Sequence, residues 1–410
     1  MAGGGVGAMA DFHQNGIITT LHRLGAPDRP RLEAELLRFA KRRPLALILP
    51  ALASEMDGPA LGPILEELKG AEYIHEIVVT LGKAGKKDFT RARDYFKTLN
   101  RQFSIVWNDG RRVQKLLGDL GDGGINIGQE GKGRSVWLAL GLILARGQSR
   151  VVALHDCDIL DYNRELLGRL AFPLMSPHLA YEFCKGYYAR VTHRMYGRVT
   201  RLFVAPLILA LEAGLGPLPY LRFMGSFRYA LAGEFAMDME LARMNRIPGD
   251  WGLEVGVLGE VFRNTSPRRV CQVDLVDTYE HKHQDLSSED PKKGLAKMCT
   301  DIARTMLRSL AAEGAELSKG VLRSLEVSYL RRAEDMIATY AADAAVNGLS
   351  FDRHAEGLAV ETFAQGLSRA IGQFTGDPRG QSVISNWNRV MSAIPDFLER
   401  LVEAVEADNQ

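Results

Sequence analysis

The sequence predicts an α/β protein built on a mostly parallel sheet with helices on both faces, followed by a helical C-terminal region. Three observations carry this. Between residues 29 and 160, short apolar runs alternate with amphipathic stretches, and repeated strand–helix alternation builds a parallel sheet covered on both sides. After residue 170 the pattern becomes mixed α/β. From about 292 onward nearly every stretch has helical period. The expected division is a flexible N-terminal segment (1–28), a main domain (29–284, with halves 29–160 and 161–284) and a helical region (285–410). The polar run QDLSSEDPKK (284–293) marks the last boundary.

Taken in order, RPRLEAELLRFAKRR reads as a helix with Leu32, Leu36 and Phe39 on or near one face. LALILP (45–50) is a strand, 58–69 a helix, IHEIVVTL (74–81) a strand and 88–98 a helix. FSIVW (103–107) is a third strand, followed by a polar, glycine-rich loop and the helix GRSVWLALGLILARG. RVVALH (150–155) is the fourth strand. Beyond it come a strand near 179–184, helices at 199–213, 233–244 and 252–263, and the strand VCQVDLV (270–276). In the C-terminal region Ile394, Phe397, Leu398, Leu401 and Val405 form one stripe, which packs onto the main body or a second subunit.

Composition narrows the function classes. Lys+Arg is 51 and Asp+Glu 50, so no global charge bias points to nucleic acid or an anionic membrane. No apolar stretch reaches the roughly 18 residues of a membrane span. The N-terminus lacks the basic and apolar regions of a signal peptide. Cys157, Cys184, Cys271 and Cys299 are scattered, a usage that fits a reducing cytoplasm better than a disulfide framework or zinc.

Chemistry concentrates in a few stretches. HDCD places Asp156 and Asp158 directly after a buried strand, where ligands of parallel sheets bind. D-x-D alone is common and mostly marks solvated loop acids. At a strand end it suits Mg²⁺ or Mn²⁺ shared with the phosphates of a nucleotide diphosphate. QEGKGRSVW puts Lys132 between Gly131 and Gly133 at a helix start, giving backbone N–H groups and a point charge for phosphate. It lacks the Walker A spacing, and an ordinary turn before a helix would look the same. YEHKHQ offers His281 and His283, either of which could join two aspartates around a metal. YARVTHRMYGRVTRLF is locally basic, and Gly197, Arg198 and Thr200 make a second candidate anion site. Asp250 and Glu254 lie near a helix start, where acids often just complement the dipole. Glu234 precedes FAMD. These acids become candidates for sugar hydroxyls if the donor site is real.

The set GKGRSVW, HDCD, GRVTRLFVAPLI, LAGEFAMD, DWGLEVGVL and CQVDLV…EHKHQ resembles the retaining glucosyl-3-phosphoglycerate synthases and the related mannosyl-3-phosphoglycerate synthases, over roughly residues 45–284. The resemblance implies the GT-A glycosyltransferase fold, a nucleotide sugar, a divalent metal (Mg²⁺ or Mn²⁺), a small phosphorylated acceptor and a homodimer. It places Asp156 and Asp158 on ribose and metal, with Cys157 between them at the donor, and Lys132 by the donor phosphates. His281 completes the metal shell, with His283 as rival. Gly197, Arg198, Val199 and Thr200 hold the phosphate of 3-phosphoglycerate. Glu254 approaches the sugar and acceptor hydroxyl, Glu234 belongs with the donor site, and Pro50, Ala51, Leu52 and Glu55 contact the nucleoside. Two departures stand out: Ala53, Ser54 and Glu55 replace the family's Asn-Glu-Glu, and TLGKAGKKD lacks the acid expected at the second strand end. The expected reaction is glucose transfer from UDP-glucose to 3-phospho-D-glycerate. Mannosyl transfer from GDP-mannose, to phosphoglycerate or free glycerate, is the alternative. A nucleotidyltransferase would carry a glycine-rich phosphate loop after the first strand, and PALASEMDGP is a poor match.

Overall fold

The computed structural model describes residues 14, 16–25, 28–276, 294–380 and 383–410. Eight strands form one sheet: β1 (Thr19–Leu21), β2 (Leu45–Leu52), β3 (Ile74–Gly82), β4 (Phe103–Trp107), β5 (Val151–Leu154), β6 (Phe183–Tyr187), β7 (Phe235–Asp238) and β8 (Val270–Asp274). Their order across the sheet is β1-β8-β6-β7-β5-β2-β3-β4. Every neighbouring pair is parallel except those of β7, which runs antiparallel to both β5 and β6. Strand β2 reads as a continuous apolar run because both of its faces are covered: Leu45, Ala46, Leu47, Ile48 and Leu49 are all buried. Among the described residues, no helix is long and apolar enough to cross a membrane.

The expected strands at 45–50, 74–81, 103–107 and 150–155 are present, and so are helices at Arg29–Ala40, Leu61–Lys69, Lys86–Phe96 and Lys132–Arg146. Besides two helices absent from the sequence reading, Glu165–Met175 and Pro219–Gly225, the structure departs from it in four places. Residues 233–244 form β7 and only then a short helix, Met239–Met244. Ala, Met and Glu favour helix in isolation, but pairing on both edges with β5 and β6 overrides that weak preference. The glycine-rich stretch before Lys132 contains a helix, Arg111–Asp122, whose Val113, Leu116, Leu117 and Leu120 are buried. Its Gly118 and Gly121 each cost about 1 kcal/mol in helix propensity, less than four buried apolar side chains contribute. Part of the N-terminal segment is an edge strand, β1, paired with β8. The strand placed near 179–184 starts later, at Phe183.

The C-terminal helices (Gly294–Ala312, Lys319–Val346, Arg353–Gly376, Trp387–Ala393 and Phe397–Asn409) share a core with one face of the sheet. Trp387 stacks on Trp137 with ring centroids 4.1 Å apart. Gly141 makes room for it, since a Cβ there would lie 2.2 Å from the Trp387 ring. The stripe Phe397, Leu401 and Val405 packs on the main body, against helices 111–122 and 132–146 and strand β4. At the free edge of β4, the Asn409 amide donates to the Ile105 carbonyl at 2.8 Å and accepts from the Ile105 N–H at 3.0 Å. The four cysteines are free and buried.

Candidate active site

The site lies beyond the carboxyl ends of β2 and β5, and the antiparallel strand β7 completes it. Because β7 runs the other way, its entry falls beside the exit of β5, with Phe235 paired to Leu154. Gly233 thereby meets Asp156. A Cβ on Gly233 would sit 2.4 Å from Asp156 Oδ2, so only glycine lets that carboxylate lie against the β7 entry. The β5 exit itself is pinned by His155, which is fully buried. Its Nδ1–H donates to the Asp156 carbonyl at 3.0 Å, and its Nε2 accepts from the Tyr162 hydroxyl at 3.2 Å. Burial pushes the His155 pKa down to about 4, so the ring is neutral and serves as a strut.

Lys132 is the hub. It opens the helix Lys132–Arg146, and its Nζ lies 2.6 Å from Asp156 Oδ1 and 3.2 Å from Glu254 Oε1. Glycine geometry explains the convergence. A Cβ on Gly133 would lie 1.9 Å from the Pro248 carbonyl oxygen, and one on Gly131 would lie 2.4 Å from that of Gly249. The loop before Lys132 therefore touches the 248–250 turn backbone to backbone. That turn leads into the helix Leu253–Asn264, which carries the buried Glu254 in its first turn. Two helix N-termini thus point at one locus, an arrangement suited to an anion. Burial alone would lower the Lys132 pKa, but the charges of Asp156 and Glu254 and the hydrogen bond to Asp156 outweigh it and raise it.

The acids are crowded. Burial first, then the negative charge of Asp156, pushes the Asp158 carboxyl up to about 7, against the pull of Lys132. The negative charges of Glu55 and Glu234 add to the same rise. Glu234 is fully buried and accepts from the Tyr188 hydroxyl at 2.7 Å. This excess of carboxylate oxygen fits a hard divalent cation. Among the described residues no group of three or more His, Cys, Asp and Glu is arranged to hold a metal. His281 and His283 lie outside the described residues.

Other expected residues are placed as follows. Pro50, Ala51 and Leu52 end β2, and Glu55 lies in the turn Ala53–Asp57 that follows. Cys157 faces the other way: its thiol is in the core, where burial raises its pKa, leaving only its main chain for a donor. Gly197 adopts a left-handed φ of 72°, which glycine favours. Val199 is buried, and so is the Thr200 hydroxyl, which has no hydrogen-bond partner among the described residues. Thr200 also lines a cavity of about 570 Å³ together with Arg228 and Gln272. Arg198 pairs with Glu356 from the C-terminal region at 2.7 Å.

Sequence reasoning missed Lys185, Glu356 and Arg304. Lys185 is fully buried on β6 and donates to the Ala232 carbonyl at 2.5 Å. Burial lowers its pKa to about 8, although Glu254 and Glu234 oppose this. A single lysine inside the apolar strand FCKGY was the available signal.

No family model matches the chain. Individual relatives do. The chain is 48% identical over 401 residues to a glucosyl-3-phosphoglycerate synthase of Persephonella marina, covering 98% of this chain and 99% of that one. It is 38% identical to the synthase of Methanococcoides burtonii, covering 97% and 98%. Among solved structures, the Mycobacterium tuberculosis glucosyl-3-phosphoglycerate synthase bound to Mn²⁺, uridine diphosphate and glucosyl-3-phosphoglycerate superposes with a TM-score of 0.52 at 20% identity, covering 73% of this chain and 89% of that one. The mannosyl-3-phosphoglycerate synthase of Rubrobacter xylanophilus gives 0.53 at 22% identity, covering 70% and 80%. These neighbours share the GT-A fold. With such identity along nearly its whole length, the chain belongs to the glucosyl-3-phosphoglycerate synthase family of glycosyltransferases.

Proposed function

We propose that the protein transfers glucose from UDP-glucose to the 2-hydroxyl of 3-phospho-D-glycerate with retention of configuration. The observation that carries this is the convergence of Lys132, Asp156 and Glu254 at two helix N-termini beside Asp158. Support comes from the relatives' names and from the Mycobacterium tuberculosis enzyme's complex with Mn²⁺, UDP-glucose and phosphoglyceric acid.

Asp158 and Asp156, with His281 or His283, would hold Mg²⁺ or Mn²⁺, which neutralises negative charge on a diphosphate leaving group. Lys132 supplies further positive charge where the C1–O bond to that diphosphate breaks, and the charge grows in the transition state. Arg198, with the main chain around Gly197 and Val199 and the Thr200 hydroxyl, receives the acceptor phosphate, which positions the 2-hydroxyl. The acceptor oxygen bonds to C1 on the face the diphosphate leaves, and its proton passes to a departing phosphate oxygen. Glu254, already paired with Lys132, orients the hydroxyl and does not attack. Pro50, Ala51, Leu52, Glu55 and Glu234 line the donor side. The family reading also carries a homodimer, to be checked by sedimentation.

The test is turnover with Mg²⁺, offering UDP-glucose or GDP-mannose as donor and 3-phosphoglycerate or glycerate as acceptor. Product is expected from UDP-glucose and 3-phosphoglycerate, lost in Asp158→Ala and reduced at least about a hundredfold in kcat by Glu254→Gln. Near-normal turnover of Glu254→Gln would remove the role given to that residue. Turnover with GDP-mannose alone, or with glycerate alone, would replace the substrates.

A further inference from the structure

The basic loop that carries Arg198 is gripped by the C-terminal helices at several points. Ser350 donates its N–H to the His193 carbonyl at 3.0 Å. Arg201 lies over the Tyr340 ring, 4.9 Å from its centroid. Glu356 makes the tightest contact. It sits in the first turn of the helix Arg353–Gly376 and is 4% exposed. One of its oxygens accepts from Arg198 Nε at 2.7 Å and the other from Arg201 Nη2 at 3.1 Å. Arg201 is held further by the Tyr196 carbonyl on its Nε at 2.9 Å.

The geometry separates the two arginines. Arg201 is buried and committed to the protein, whereas Arg198 keeps a third of its side chain exposed. Arg198 uses Nε on Glu356, and among the described residues no hydrogen bond takes its two terminal nitrogens. A guanidinium is planar, so a carboxylate that fixes Nε fixes the plane in which the terminal N–H groups point. The pair of terminal nitrogens is the part of arginine that meets two phosphate oxygens at once.

We propose that Glu356 is a positioning residue that sets the plane of Arg198 for the acceptor phosphate, so that the C-terminal helices govern acceptor selection. This rests on the reading that Arg198 receives that phosphate. Glu356 touches neither substrate: one of its oxygens acts through Arg198, and the other anchors Arg201 in the same loop. Loss of its charge frees the guanidinium to rotate, and the cost falls on acceptor binding while the chemical step in the filled site is largely preserved.

The experiment compares the unsubstituted protein, Glu356→Gln and Glu356→Asp, measuring kcat, KM for 3-phosphoglycerate, KM for UDP-glucose and melting temperature. Glu356→Gln is expected to raise KM for 3-phosphoglycerate about tenfold, with kcat and KM for UDP-glucose each within about threefold. Preference for 3-phosphoglycerate over glycerate falls in step, and Glu356→Asp recovers part of it. An unchanged or lowered KM for 3-phosphoglycerate overturns the proposal, as does a parallel change in kcat and both KM values that follows the melting temperature. Should the Gln variant fail to fold, the Asp variant decides on the same KM. Failure of the unsubstituted protein to use 3-phosphoglycerate defeats the reading of the acceptor and this proposal together, whereas a normal KM in the variants defeats this proposal alone.

Discussion

Arg304, on the helix Gly294–Ala312, donates to Asp250 Oδ2 at 2.6 Å, and the other Asp250 oxygen accepts from the Gly252 N–H at 2.9 Å. A C-terminal arginine thereby fixes the turn from which the Glu254 helix starts. The same Nη2 donates to Asp301 at 3.0 Å. Removing the guanidinium takes that partner from Asp250 and leaves Lys297 as the cation on Asp301, and burial together with the Asp250 charge already raises the Asp301 pKa against the pull of Lys297.

Arg304→Met is expected to cost about 2 kcal/mol of stability near pH 7. Carboxylates that lose a cation bind protons more tightly in the folded state, so the deficit shrinks as the pH is lowered through the range where Asp301 protonates. Thermal melts of the two proteins between pH 5 and pH 8 measure this, and a pH-independent deficit would contradict it.

Gly133→Ala tests the backbone contact that brings Lys132 to Glu254. The added methyl would lie 1.9 Å from the Pro248 carbonyl oxygen, a backbone atom that cannot rotate away. A loss of about 1–3 kcal/mol is expected, with KM for the nucleotide sugar rising more than KM for the acceptor. Equal change in the two KM values would show that the contact serves stability alone.

Asp158→Asn is expected to stabilise the metal-free protein near neutral pH while abolishing turnover. The folded-state pKa of Asp158 stands near 7, above the ordinary 3.8. The folded state therefore holds this proton more tightly, and in chelator the unsubstituted protein loses stability as the pH climbs from about 4 to 7. Asparagine removes that dependence, a gain on the order of 4 kcal/mol at pH 7.5. Melting curves with and without Mn²⁺ provide the check: the ion should raise the melting temperature of the unsubstituted protein and leave the variant's unmoved.

Lys185→Met removes the buried cation near Glu234 and Glu254 and leaves the Ala232 carbonyl without its donor. Donor affinity of the unsubstituted protein should weaken as the pH rises through about 8, where Lys185 loses its proton. The variant should bind donor several-fold more weakly at pH 7 and lack that alkaline limb. Titration of the nucleotide sugar at pH 7 and pH 9 decides it.

Much of this arrangement is legible in the sequence because the burden falls on local signals. Strands β2 and β5 are apolar on both faces, so Leu45–Leu49 or Val151–Leu154 can only be buried strands. Lys132, Asp156, Asp158 and Glu254 each sit at a strand or helix end, where short motifs mark them. The rest depends on partners far along the chain. Gly233 reaches Asp156 only because β7 is antiparallel, and the residues of β7 read as helix until β5 and β6 claim them. Glu356 lies 158 residues from Arg198, and nothing in the helical period of its segment distinguishes it from a solvated acid.

The pairing of Asn409 with Ile105 has a consequence for solution behaviour. An open sheet edge is a template on which a second molecule can add a strand and begin aggregation. Here one amide side chain takes both the N–H and the carbonyl of Ile105, in the middle of the five-residue strand β4. The last helix therefore works as a stopper, occupying the backbone groups that an incoming strand would need. Asn409→Ala would leave the catalytic machinery intact and reopen the sheet to self-association.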